Sequence, residues 1–169
     1  MVSEVIMLSE LQQKNVWENW LSSEMRANYF ADLANRYQSW QRALTWFTLI
    51  FSSGAALAIV TDWIPLGFEW IKAALALLTA AVSFLSLVQQ NQKSATDCSD
   101  LHFRWNRLAS EYEALWDDMY ADDAELKLKV LAEKMAELSR SSTAFPYRER
   151  VMLKWQDYVQ RHHGLSATV

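Results

Sequence analysis

Two runs without a formal charge, residues 43–61 and 73–92, lie close together in the middle of the chain and constrain what it can fold into. A hydrocarbon core of roughly 30 Å is crossed by about 20 apolar residues in helical form. The first run, "ALTWFTLIFSSGAALAIVT", meets that length. The second, "WIKAALALLTAAVSFLSLVQQ" from Trp70, meets it if Lys72 sits at the interface and turns its ammonium outward. Both runs are apolar around the whole helix, and both are bordered by Trp: Trp40 and Trp46 at one edge, Trp63 and Trp70 at the other. Tryptophan at both edges is the pattern of an interfacial belt. The expectation is a pair of membrane spans joined as an antiparallel hairpin by the short connection "DWIPLGFE" (62–69), with a buried core of a soluble bundle as the alternative. Arg26, Arg36 and Arg42 precede the first run, and Lys93, Arg104 and Arg107 follow the second. The connection offers only Lys72 against Asp62 and Glu69, so the positive-inside rule puts both termini in the cytosol.

Outside these runs the chain is poor in turn formers, with Gly 3 and Pro 2, and rich in good helix formers, which predicts an all-α fold. The expected organisation is N-terminal amphipathic helices over 1–42, the two-span hairpin over 43–92, and a cytosolic helical stalk and bundle over 93–169. Ser9 and Gln12 form a capping box that opens a short helix over about 10–21, and Ser22 or Ser23 caps the next. In that second helix Phe30, Leu33, Tyr37, Trp40 and Leu44 recur at helical spacing and lead into the first run. Downstream, Leu101, Trp105, Leu108, Tyr112, Leu115 and Met119 form a heptad seam, predicting a long stalk that packs antiparallel on the first. The acidic segment "DDMYADDAE" (117–125) reads as a helix junction, with Asp122 or Asp123 as N-cap. Leu128, Leu131, Met135 and Leu138 mark the next helix. Pro146 opens the last, over about 146–162, with Val151, Trp155 and Tyr158 inward and Gly164 as its stop.

The net charge is -4 and the single cysteine, Cys98, rules out an internal disulfide and a cysteine-based metal cluster. The first 40 residues show no apolar signal segment, which points to an intracellular chain or one anchored facing the cytosol. No phosphate loop, nucleophile elbow or paired-carboxylate pattern appears, so the expectation is no enzyme, no cofactor and no metal. His102, His162 and His163 read as solvated surface residues, and Asp117, Asp118, Asp122 and Asp123 lack the spacing and central glycine of a calcium loop.

Two surfaces stand out instead. Small and hydroxyl residues form stripes in the two runs: Thr45, Thr48 and Ser52 with Gly54 and Ala58 in the first, and Ala76, Thr79, Ser83 and Ser86 in the second. Such stripes pack helices closely in lipid, or line a pore in an assembled ring. The last helix, "PYRERVMLKWQDYVQRHH", carries Arg148, Arg150, Lys154 and Arg161 beside its apolar side. It packs on the bundle, or meets lipid headgroups or a partner that bears nucleic acid. The aromatic stretch 10–40 is a further candidate for contact between subunits.

The segment "RANYFADLANRYQSWQRALTWFTLIFSS" (26–53) leads an amphipathic helix rich in Tyr, Arg and Ala straight into the first run. With the tight connection and the helical tail, this resembles the SLATT superfamily, the two-transmembrane effector domains associated with bacterial nucleotide-signalling (CBASS) and retron antiphage systems. The resemblance implies a toxic, pore-forming or membrane-disrupting effector of the inner membrane, acting in abortive infection. It implies membrane lipid and further copies of the chain as partners. It also implies a cognate sensor, either a reverse transcriptase with its RNA–DNA product or a cyclic-nucleotide synthase, and no direct sequence-specific binding of nucleic acid. The alternative is a non-conducting membrane anchor or scaffold that docks a cytosolic enzyme.

Overall fold

A computed structural model describes residues 8–52 and 91–165, together with positions 70, 74, 77, 80, 81 and 84 between them. Regular structure among these residues is helical: α1 (Glu10–Ser52), α2 (Asn91–Asp117), α3 (Ala124–Ser142) and α4 (Glu149–His162). The chain divides into two compact units, Met1–Asp32 with Cys98–Val169, and Leu33–Asp97.

The first unit is an up-down-up-down bundle whose direction follows from its contacts. Trp17 meets Trp116, and His102 Nδ1 lies 2.8 Å from the carbonyl of Ala27, so α1 and α2 run antiparallel. Trp105 bonds Ser142 and Tyr112 approaches Met135, so α2 and α3 do as well. Tyr29 meets the segment before α4 and Glu24 meets the residue after it, which sets α4 antiparallel to α1. The heptad seam is the core: Leu101, Trp105, Leu108, Tyr112 and Leu115 are all buried. Val16, Ala27 and Phe30 of α1, Leu131 and Leu138 of α3, and Val151 and Val159 of α4 face it. Arg104 with Glu137 (2.9 Å) and Lys134 with Glu111 (2.6 Å) bridge α2 and α3 at the rim. Exposed pairs of this kind add little stability and mainly set register.

Local chemistry explains the ends. Ser9 Oγ accepts from the Gln12 N–H (3.3 Å) while Gln12 Oε1 accepts from the Ser9 N–H (2.8 Å), the expected capping box. At the other end of the bundle Gly164 takes φ 71°. Its N–H donates to the Arg161 carbonyl (3.2 Å) and the Leu165 N–H to that of Gln160 (2.7 Å), a Schellman stop that needs glycine's left-handed conformation. Asp123 is the N-cap of α3, as the acidic segment suggests, yet its carboxylate pairs with Lys127 (2.9 Å) and makes no capping bond.

Several expectations are corrected. The transmembrane hairpin is not seen, because among the described residues no helix is long and apolar enough to cross a membrane. The part of the two runs beyond α1 and α2, apart from the single positions given above, lies outside the described residues. No new helix begins at Ser22 or Ser23; α1 is continuous there. Ser23 is wholly buried and donates its hydroxyl to the Asn19 carbonyl (2.7 Å), so it is satisfied within the helix and has no need to cap another. Pro146 does not open the last helix. The Tyr29 hydroxyl donates to the Pro146 carbonyl (2.7 Å) and accepts from the Arg148 N–H (3.2 Å), holding the backbone extended until Glu149. Tyr158 is exposed and Val159 takes the inward position, continuing the row Val151–Trp155–Val159 at i, i+4, i+8.

Tyr112 has a titration consequence. Burial pushes its phenol up to about 12 from an ordinary value of 10.0, against a smaller opposing effect of a hydrogen bond with Asn19. The folded state therefore holds this proton more tightly than the unfolded one, so its contribution is intact below about pH 10 and is lost as pH rises toward about 12. Thermal melts followed by circular dichroism should fall across that window in the native chain and fall less steeply in Tyr112→Phe.

Candidate functional site

Along the second half of α1, Gln41, Leu44, Phe47 and Thr48 form the half-buried side. Trp46, Leu49 and Ile50, at i, i+3 and i+4, share the opposite side and are 67%, 57% and 54% exposed. Helical segments normally turn their apolar side inward and their polar side to water. Here large apolar side chains stand on both sides, Leu44 and Phe47 on one and Trp46, Leu49 and Ile50 on the other, so no rotation of the helix hides them all. The described positions further along repeat the arrangement: Trp70, Ala74, Leu77, Ala81 and Phe84 fall at spacings of 4, 3, 4 and 3, on one helical face, and all are exposed. Within this unit the described buried side chains are only Leu33, Ala34 and Ala95. Monomers in water rarely leave extended apolar faces open, and where they do the face usually meets protein or lipid.

The hydroxyl stripe is partly placed. Thr45 is exposed and donates back to the Gln41 carbonyl (2.9 Å), which satisfies it within its own helix. Thr48 Oγ1 is buried without a hydrogen-bond partner among the described residues. Ser52 is the last residue of α1. Gly54, Ala58, Ala76, Thr79, Ser83 and Ser86 lie outside the described residues.

On α4 the four cations do not act alike. Arg161 is held by Asp157 (2.5 Å) one turn back, and Lys154 lies 4.5 Å from the ring centroid of Trp155. Arg148 and Arg150 are exposed and make no ion pair among the described residues. Arg148, the N-cap, and Arg150 of the first turn flank the acidic Glu149 at the N-terminal end of the helix. That is the end a helix dipole makes unfavourable for cations.

Of the three histidines only His162 is exposed as the sequence suggests; His102 and His163 are half-buried and bonded. His163 Nε2 bonds Glu24 Oε2 at 2.8 Å, so Nε2 carries the hydrogen. Its ring packs edge-on against Trp17 (5.5 Å) and Trp20 (4.9 Å), and Trp17 also meets Trp116 (5.1 Å). Trp17, Trp20 and Glu24 follow at i, i+3 and i+7, one face of α1, which is the signal that could have flagged the site. His102 likewise ties α2 to the Ala27 carbonyl of α1. Both histidines fasten helices together. Among the described residues no cluster of His, Cys, Asp or Glu has the arrangement to hold a metal ion.

No protein family, curated protein or solved structure matches this chain.

The Glu24–His163 contact closes the end of α4 onto α1. Removing it by Glu24→Ala or His163→Ala should cost about 1–3 kcal/mol. Hydrogen exchange should accelerate across α4 while the α2 seam stays protected.

Proposed function

We propose that this chain is a membrane-directed effector. In this reading the helical bundle lies on the cytosolic side of a bacterial inner membrane, and the unit of residues 33–97 brings its apolar faces to the lipid. The observation that carries the proposal is the exposure of Trp46, Leu49 and Ile50 on one side of α1 together with Trp70, Leu77 and Phe84. Burying side chains of this size is worth about 1.5–3 kcal/mol each. A face of several such residues supplies enough free energy to hold the chain at a bilayer and to favour contacts with further copies of itself.

The biological setting rests on the resemblance of most of the chain, about residues 23–160, to the SLATT superfamily in architecture and pattern. It is an antiphage system in which a partner sensor triggers the effector and the cell's membrane is compromised. A reverse transcriptase with its RNA–DNA product, or a cyclic-nucleotide synthase, is the sensor class this setting supplies. The acidic balance of the chain, net -4, fits a protein that takes its signal from such a partner rather than from nucleic acid directly.

Inducible expression with a membrane-potential dye tests the proposal. The native chain should sediment with membranes and depolarise cells. The triple variant Trp46→Ser, Leu49→Ser, Ile50→Ser should weaken membrane association about 100-fold or more and abolish depolarisation, with the helical signal of the bundle retained. Membrane association without depolarisation would instead identify a scaffold that docks another protein. A native chain that stays in the supernatant would refute the membrane reading.

A further inference from the structure

Arg26 is a cation in the wrong place for a purely structural residue. Its guanidinium lies 4.8 Å from the ring centroid of Trp105 and donates to Ser139 Oγ at 2.8 Å, and no carboxylate pairs with it among the described residues. Partial burial pushes its pKa down from the ordinary value. A methionine or leucine would cover Trp105 without that desolvation penalty.

The guanidinium lines a groove of about 370 Å³ between α1, the end of α3 and the segment before α4, a size suited to a small molecule. No acidic residue lines it; Phe30, Phe145, Tyr147 and Met152 supply apolar and aromatic walls. Its Arg26 and Ser139 wall carries donors that face solvent in the open groove. The Ser142 hydroxyl proton goes to the Leu138 carbonyl (2.7 Å) and that of Thr143 to the Arg140 carbonyl (2.7 Å). The remaining N–H groups of Arg26 and the hydroxyl proton of Ser139, whose oxygen accepts from Arg26, have no acceptor among the described residues. The groove thus offers a fork of donors at one wall and flat apolar surface at the others, the complement of a planar oxyanion attached to an apolar body.

We propose that this groove binds a small anionic amphiphile, with a carboxylate or phosphate-monoester head held by Arg26 and Ser139 and a planar apolar body lying between Phe145 and Met152. The site lies wholly within the bundle and does not depend on how residues 33–97 act. Such a ligand would fasten α1, α3 and the start of α4 to one another.

The test is an equilibrium titration of the full chain, with thermal shift in parallel, using phenylacetate, phenyl phosphate, inorganic phosphate and the neutral phenylacetamide. At least one of the two aromatic anions should bind in the millimolar range or tighter, and phenylacetamide about tenfold or more weakly, as loss of a charged hydrogen bond implies. The tighter of the two anions identifies the head group, and inorganic phosphate alone should bind less well for want of a body. Arg26→Gln should erase the preference for the anion over the amide. Because that variant also uncovers Trp105, Tyr147→Ala at the exposed lip provides a second check. It should weaken all aromatic probes together and leave the melting temperature unchanged. Absence of binding by both anions, or amide binding equal to anion binding in the native chain, overturns the proposal.

Discussion

Everything in the bundle leans on Trp105. It is wholly buried at the middle of the α2 seam, donates its indole N–H to Ser142 of α3 at 3.1 Å, and carries the Arg26 guanidinium of α1 on its ring. One side chain therefore fixes three helices, and it does so with its polar atom satisfied, which a buried tryptophan requires. Tyr29 does the same for the fourth helix. Its hydroxyl is donor to Pro146 and acceptor from Arg148, so the start of α4 is set by a residue of α1. Glu24 and His163 close the far end of the same pair.

The two units differ in how they meet the demands of water. In the bundle a continuous buried seam forms a core and charged pairs line the rim, although Leu11, Phe103, Leu126 and Leu153 remain exposed. In residues 33–97 the described buried side chains are few, Leu33, Ala34 and Ala95, while Trp46, Trp70, Leu77 and Phe84 are exposed. In the proposed reading the bundle would receive a signal and residues 33–97 would act on a surface. The groove beside Arg26 fits the receiving side of such an arrangement, because a ligand there would bear on the same α1 that runs on into the second unit.

Periodic features were legible in the sequence. The heptad seam from Leu101 to Leu115, the capping box of Ser9 and Gln12, the junction at Asp123 and the stop at Gly164 each follow from local spacing or backbone chemistry, and each is where the residues placed it. Features decided by partners far away in the chain were not. Ser22 and Ser23 look like caps until the hydroxyl of Ser23 finds the Asn19 carbonyl. Pro146 looks like a helix start until Tyr29 claims its carbonyl, and His163 looks like a frayed end until Glu24 and two tryptophans enclose it. The hairpin was inferred from runs of apolar residues, but an apolar run shows only that a segment avoids water. Among the described residues no helix is long and apolar enough to cross a membrane. Of the hydroxyl stripe, only the residues from Thr45 to Ser52 are placed, and Arg26, the most unusual side chain of the bundle, carried no sequence signal beyond its charge.

The central claim is that the exposed apolar face of residues 33–97 meets lipid. Cys98 is buried in the bundle seam, so after Cys98→Ala an environment-sensitive fluorophore can be placed on a single introduced cysteine. Leu77→Cys lies on the apolar face at 72% exposure, and Leu153→Cys, on α4 at 53%, serves as the control. On addition of anionic vesicles the label at 77 should brighten and shift to the blue while the label at 153 stays unchanged. A label at 77 that keeps its water-exposed spectrum at saturating lipid would contradict the claim.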